Sequence, residues 1–89
     1  MPKRSKLQIY FDVLEVVEEG INKPTRIMYG TNLSWNTLNN VFDVLMNSKF
    51  LRKEKTKTSK RFFITTKGKK ALAYYRKSIE ELVTTPQTI

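Results

Sequence analysis

Two groups of side chains in this sequence have types and spacings that could do chemistry. The first is Asn36, Thr37, Asn39, Asn40, Asp43 and Asn47, a run rich in amides and nearly free of charge. An amide donates and accepts at once, so Asn can bond adenine N6 and N7 in bidentate fashion, and the Thr methyl can meet that of thymine. The second is Arg52, Lys53, Lys55, Lys57, Lys60, Arg61, Lys67, Lys69 and Lys70, nine cations opposed by Glu54 alone, which gives residues 51–70 a net charge of +8. Residues 1–20 sum to −1, residues 21–50 to +2 and residues 71–89 to zero, completing the total of +9. Charge concentrated in this way is the footprint of an element that meets a polyanion. Lysines that merely protect a sheet edge from aggregation would explain one or two of these cations, not all of them.

The same inventory excludes most enzymes. With no Cys and no His, the chain has no thiolate nucleophile, no imidazole base and none of the usual zinc ligands. The acids Asp12, Glu15, Glu18 and Glu19 share one helical segment at the spacings of an ordinary solvated face. A non-enzymatic protein without metal, cofactor or small-molecule ligand is therefore expected. The 89 residues make one domain, 1–89, with an ordered core over about 5–83. A chain of this size buries about 60–65% of its unfolded surface and has little core left for a deep pocket. Without Cys no disulfide can form, which suits a reducing compartment. No apolar run approaches the roughly 20 residues needed to cross a bilayer. No apolar h-region follows the basic segment 1–6, so neither a membrane span nor a secretory signal is expected.

The elements that must position these groups can be read from periodicity. Ser5 and Gln8 form a capping box that opens a helix with Leu7, Tyr10, Phe11, Leu14 and Val17 on its apolar stripe, widened by Ile9, Val13 and Val16. Gly20 suits the position just beyond its end. Pro24 fits the first turn of a short helix over about 24–29, with Ile27, Met28 and Tyr29 inward and Gly30 as its terminator; Tyr10 is likewise expected in or near the core. Asn32 is one of the few residues that tolerates a left-handed backbone. Ser34 then caps a helix over 35–48 whose stripe is Trp35, Leu38, Val41, Phe42, Leu45 and Met46, which leaves the amides on the opposite face. Solvated helix faces usually carry Lys and Glu, so an amide face is unusual. Segments 51–55 and 60–65 predict a hairpin with a basic tip at Thr56-Lys57-Thr58-Ser59, with Phe62 and Ile64 on one face and Phe63 on the other. Thr66 is expected to cap a last helix over 67–83 with Leu72, Tyr75, Ile79 and Leu82 along one side.

Helix, short helix, turn, helix, basic hairpin, helix is the order of a winged helix-turn-helix, an α+β fold of three helices, a two-stranded basic wing and a C-terminal helix. In that fold Ser34, Trp35, Asn36, Thr37, Asn39 and Asn40 are the base-facing candidates on recognition helix 35–48, and Ser34 with the helix start could also hold a phosphate. Arg26, Lys53, Lys55, Lys57, Lys60 and Arg61 are the candidates for phosphates or the minor groove along wing 51–65, with Arg61 or Lys57 inserted. The plainer alternative is that the asparagines only solvate a helix face. Trp35 lies at the margin of the core stripe, and its type and spacing favour packing, although its place in the first turn also puts it beside the groove.

From Ser5-Lys6-Leu7 through Lys23-Pro24-Thr25-Arg26-Ile27-Met28-Tyr29-Gly30 and Asn32-Leu33-Ser34-Trp35 to Thr65-Thr66-Lys67-Gly68, the chain resembles the small archaeal winged-helix DNA-binding proteins typified by the ten-kilodalton "a" protein of Sulfolobus. The resemblance implies a double-stranded DNA-binding transcription regulator or chromatin protein. It also implies a homodimer paired through its C-terminal helices, in the cytoplasm with the nucleoid. Leu72, Tyr75, Ile79 and Leu82 would form that seam, although they span only about two heptads and could pack on the chain's own first helix instead. Non-specific DNA compaction and a winged-helix protein-interaction module are the competing readings, the second disfavoured by the charge of residues 51–70.

Overall fold

The computed structural model describes residues 4–84. Its elements are α1 (Lys6–Glu18), α2 (Pro24–Thr31), α3 (Trp35–Asn47), β1 (Leu51–Lys55), β2 (Lys60–Ile64) and α4 (Thr66–Thr84). The fold is the winged helix that the order of segments predicts, with boundaries shifted by one or two residues, as helix ends commonly are.

Local chemistry sets the ends. Ser5 Oγ accepts from the Gln8 N–H at 3.1 Å and Ser34 Oγ from the Thr37 N–H at 3.2 Å, so each hydroxyl satisfies one orphan donor at a helix start. The first three helices close in one way: a residue with positive φ is followed by an apolar residue whose N–H reaches back five positions. Gly20 (φ 101°), Asn32 (φ 56°) and Lys49 (φ 66°) take the left-handed position. Ile21, Leu33 and Phe50 then donate to the carbonyls of Val16, Met28 and Leu45 at 3.3, 3.3 and 2.9 Å.

Four expectations need correction here. Gly30 does not terminate α2; the helix runs on to Thr31, and a Cβ at Gly30 would lie 3.3 Å from Val16 Cγ1, so the glycine serves close packing of α2 on α1. Thr65, not Thr66, caps α4, its Oγ1 accepting from the Gly68 N–H at 3.0 Å. Tyr29 is 75% exposed because Ile27 and Thr31, one turn apart, take the inward face of α2. Leu7, placed on the core stripe of α1, is 57% exposed at the helix start.

The core joins Val13, Leu14 and Val17 of α1 to Ile27, to Leu38, Val41, Phe42 and Leu45 of α3, and to Leu51, Phe62 and Leu72. Phe62 stacks on Phe42 with ring centroids 3.8 Å apart, which fixes the wing to α3, and Phe11 stacks on Tyr75 at 4.1 Å, which fixes α4 to α1. Such pairs add about 0.5–1.5 kcal/mol beyond their area burial. Arg4 donates to Asp12 Oδ2 at 3.0 Å and to the Thr31 carbonyl at 2.9 Å, tying α1 to the end of α2. Arg76 donates to Glu18 at 2.9 Å and Glu15 at 3.4 Å, and the bond to Glu18 is the foremost cause of an arginine pKa above its ordinary value. Among the described residues no helix is long and apolar enough to cross a membrane.

Candidate nucleic-acid interface

The outer face of α3 follows from its period. With Leu38, Val41, Phe42 and Leu45 buried, the opposite side falls to Asn36, Asn40, Asp43 and Asn47, all exposed at spacings of four, three and four. Asn39 is also exposed, on the flank nearer the wing, where it lines one groove with Trp35, Asp43, Lys53 and Lys60. Thr37 is half-buried on the other flank, and its hydroxyl accepts from Ser34 Oγ at 2.9 Å. Ser34 and Thr37 are thus committed to the start of the helix, while the four amides are free of hydrogen bonds among the described residues.

The wing is an antiparallel ribbon in which Leu51 faces Ile64, Lys53 faces Phe62 and Lys55 faces Lys60, with Arg52–Phe63 and Glu54–Arg61 as the intervening pairs. Directly opposed residues share a face, so the first three pairs lie on one side and the other two on the reverse. The side bearing Leu51, Ile64 and Phe62 is anchored to the core, and the same side carries Lys53, Lys55 and Lys60 outward beyond it. On the reverse, Arg52 lies 4.6 Å over the Phe63 ring and pairs with Glu54. Arg61 donates to Asn22 Oδ1 at 3.2 Å, beside the point where the Phe62 N–H meets the Asn22 carbonyl at 2.9 Å. Arg61 is therefore parted from the lysines with which the sequence groups it, and it is held against Asn22 in the segment that joins α1 to α2. Lys57 sits in the four-residue tip, which is closed by the Thr56 N–H to the Ser59 carbonyl at 2.8 Å and the Ser59 N–H to Thr56 Oγ1 at 3.1 Å.

Trp35 joins the two parts. It is 47% exposed, neither core nor free surface, and stands in a cleft between Pro24 and Thr25 of α2 and residues 55–60 of the wing. Arg26 is exposed on the outer side of α2 beside Lys23 and Tyr29, and does not line this cleft. Of the candidates for a seam, Leu72 is wholly buried in its own core and cannot meet a partner, and Tyr75 is stacked on Phe11. Ile79 and Leu82 are 43% and 72% exposed. Lys6 and Tyr10, which sequence reasoning did not select for binding, line a further groove against α3; only a long-range contact brings them there, so periodicity carried no signal of it. Among the described residues no three potential metal ligands cluster.

Residues 3–83 match the winged helix-turn-helix family, and the chain belongs to it. Two proteins of Methanocaldococcus jannaschii are similar in sequence. Uncharacterized protein MJ0287 is 38% identical over 68 residues, 76% of this chain and 66% of its own length. Uncharacterized protein MJ0290 is 38% identical over 66 residues, 74% of this chain but 29% of its own length. The chain thus spans less than two-thirds of either relative. Among solved structures, the DNA-binding protein Sso10a-2 of Sulfolobus solfataricus superposes with a TM-score of 0.73 at 26% identity, over 91% of this chain and 87% of that one. This bears out the resemblance to the small archaeal winged-helix proteins. F93 from STIV, a winged-helix DNA-binding protein, superposes with a TM-score of 0.75 at 22% identity over 93% and 98% of the two chains, a likeness of fold.

Proposed function

We propose that this chain binds double-stranded DNA as a transcription regulator, with α3 in the major groove and the wing on the flanking phosphates and minor groove. The observation that carries the reading is the convergence of two unlike surfaces on the cleft at Trp35. Asn39, at the edge of the amide face of α3, lies on one side, and the Lys53, Lys55, Lys57 and Lys60 side of the wing on the other. Amides offer base edges both a donor and an acceptor, whereas lysines hold phosphates without reading sequence. Asn36, Asn39 and Asn40 are the base readers, and the start of α3 at Ser34 and Trp35 holds a phosphate. The names of Sso10a-2 and F93 as DNA-binding proteins support the same assignment.

A homodimer fits the exposed distal end of α4, where Ile79 and Leu82 are the seam residues left available. Sedimentation at micromolar concentration tests this, and a monomer there removes the dimer. Such a protein would work in the cytoplasm on the nucleoid.

Non-specific compaction remains the second reading, favoured by a net charge of +9 if the amide face is inert. Gel-shift titration of a selected and a random duplex at two salt concentrations separates the two. With base readout, Asn39→Ala erodes the ratio of the two affinities, while Lys57→Ala weakens both alike. An Asn39→Ala protein that keeps its ratio sinks base readout by that residue. Trp35 is the chain's only tryptophan, so its emission reports directly on occupation of the cleft.

A further inference from the structure

An α-helix is about 10–12 Å across with its side chains, and the major groove is about 12 Å wide. A helix seated there runs with one DNA strand along each flank, and on the reading above the wing accounts for only one of them. The opposite flank of α3 carries a second groove, of about 340 Å³, between α3 and the first turns of α1. Its floor is apolar, from Ile9, Val41 and Val44, and its rim carries Lys6, Tyr10, Thr37 and Asn40.

From this geometry we infer that the Lys6–Tyr10 groove is a second phosphate seat, which takes the backbone of the DNA strand on the side of α3 away from the wing. This rests on the DNA-binding reading and adds to it a site on an element outside both the recognition helix and the wing.

Four observations carry it. Lys6 and Tyr10 are four residues apart on α1, so they project from one face of that helix toward α3. Lys6 is exposed and, among the described residues, is the only charged one lining the groove, and its ammonium makes no ion pair or hydrogen bond with any of them, so it is unspent. Arg4, the neighbouring cation, is engaged by Asp12 and the Thr31 carbonyl and is not available for the same task. The groove is also continuous with the amide face, because Asn40 belongs to both. The seat suits a sugar-phosphate unit, with the sugar on the valines and isoleucine and the phosphate between the Lys6 ammonium and the Tyr10 hydroxyl.

Binding titrations of the whole chain on a selected and a random duplex test the inference, alongside phosphate-ethylation interference on each strand. Lys6→Ala is expected to weaken both duplexes alike by about five- to tenfold and to reduce the steepness of log K against log salt by about 0.9. Lys6→Arg should restore both. Tyr10→Phe, which keeps the ring and loses the hydroxyl, should weaken both duplexes by about two- to threefold with the salt slope unchanged. Ethylation interference should be lost in Lys6→Ala on the strand away from the wing and kept on the wing side. Circular dichroism melts guard against misfolding, and an exposed lysine should leave them unmoved. If Lys6→Ala keeps wild-type affinity and slope while the wing lysine variants lose theirs, the second seat is overturned and the DNA reading stands. If the wild-type protein binds neither duplex at low salt, both fall together.

Discussion

The two faces of the wing give the sharpest quantitative expectation. Lys53, Lys55 and Lys60 lie on the side that continues from the core-anchored Phe62, with Lys57 in the tip, whereas Arg61 is on the reverse, bonded to Asn22. If the four lysines each neutralise one phosphate, they contribute about 3.6 to the slope of log K against log salt, about 0.9 apiece. Raising salt fourfold, from about 50 to about 200 mM, then costs roughly 150-fold in affinity through these lysines alone, and replacing all four with Gln abolishes that part of the loss. Arg61→Gln, by contrast, should change the slope by less than half of one lysine's share. The measurement is fluorescence anisotropy of a labelled duplex at three salt concentrations, with thermal melts of each variant as the folding control. Because every lysine concerned is exposed, the melts should barely move. A quadruple variant that keeps its slope, or an Arg61→Gln protein that loses as much slope as a front lysine, would refute the assignment of the faces.

Other expectations concern stability and assembly. A Cβ at Gly68 would lie 2.9 Å from Ile64 Cγ1 and closer still to the Phe50 carbonyl oxygen, so Gly68→Ala should cost about 3 kcal/mol and lower Tm by roughly 15 °C; an unchanged melt would contradict the packing. Lys49 occupies the left-handed position that closes α3, and Lys49→Gly should relieve about 1 kcal/mol, seen as a Tm raised by about 4–8 °C. Ile79→Glu with Leu82→Glu should leave the melt of the isolated domain intact and abolish any dimer seen by sedimentation, because neither side chain is buried in its own protomer.

The helix ends show which parts of this fold were legible in the sequence. Gly20 and Asn32 announce a left-handed backbone by residue type, so the ends of α1 and α2 could be placed. Lys49 does not, because nothing in a lysine favours positive φ, although the apolar Phe50 after it plays the part of Ile21 and Leu33. Thr65 and Thr66 are chemically identical candidates for one cap, and only the 2.6 Å bond from Thr65 Oγ1 to the Lys49 carbonyl chooses between them. The split of Arg61 from the lysines follows from strand parity once the four-residue tip is fixed, so that signal was present in the spacing. The exposure of Tyr29 was not, since in a helix of eight residues two different stripes fit equally well. The Lys6–Tyr10 groove lay further out of reach, because it depends on where α1 settles against α3.

One residue, Thr65, separates β2 from α4, and its hydroxyl donates to the Lys49 and Phe50 carbonyls while accepting from Gly68. The strand that ends the wing and the helix that leaves the domain are thereby welded at a single joint, with no flexible linker between them. Whatever α4 pairs with, the wing turns with it as one lever arm. In a dimer joined through that helix, the distance between the two reading heads would be a fixed mechanical property of the molecule, and sites spaced otherwise along a duplex could be met only by bending the DNA.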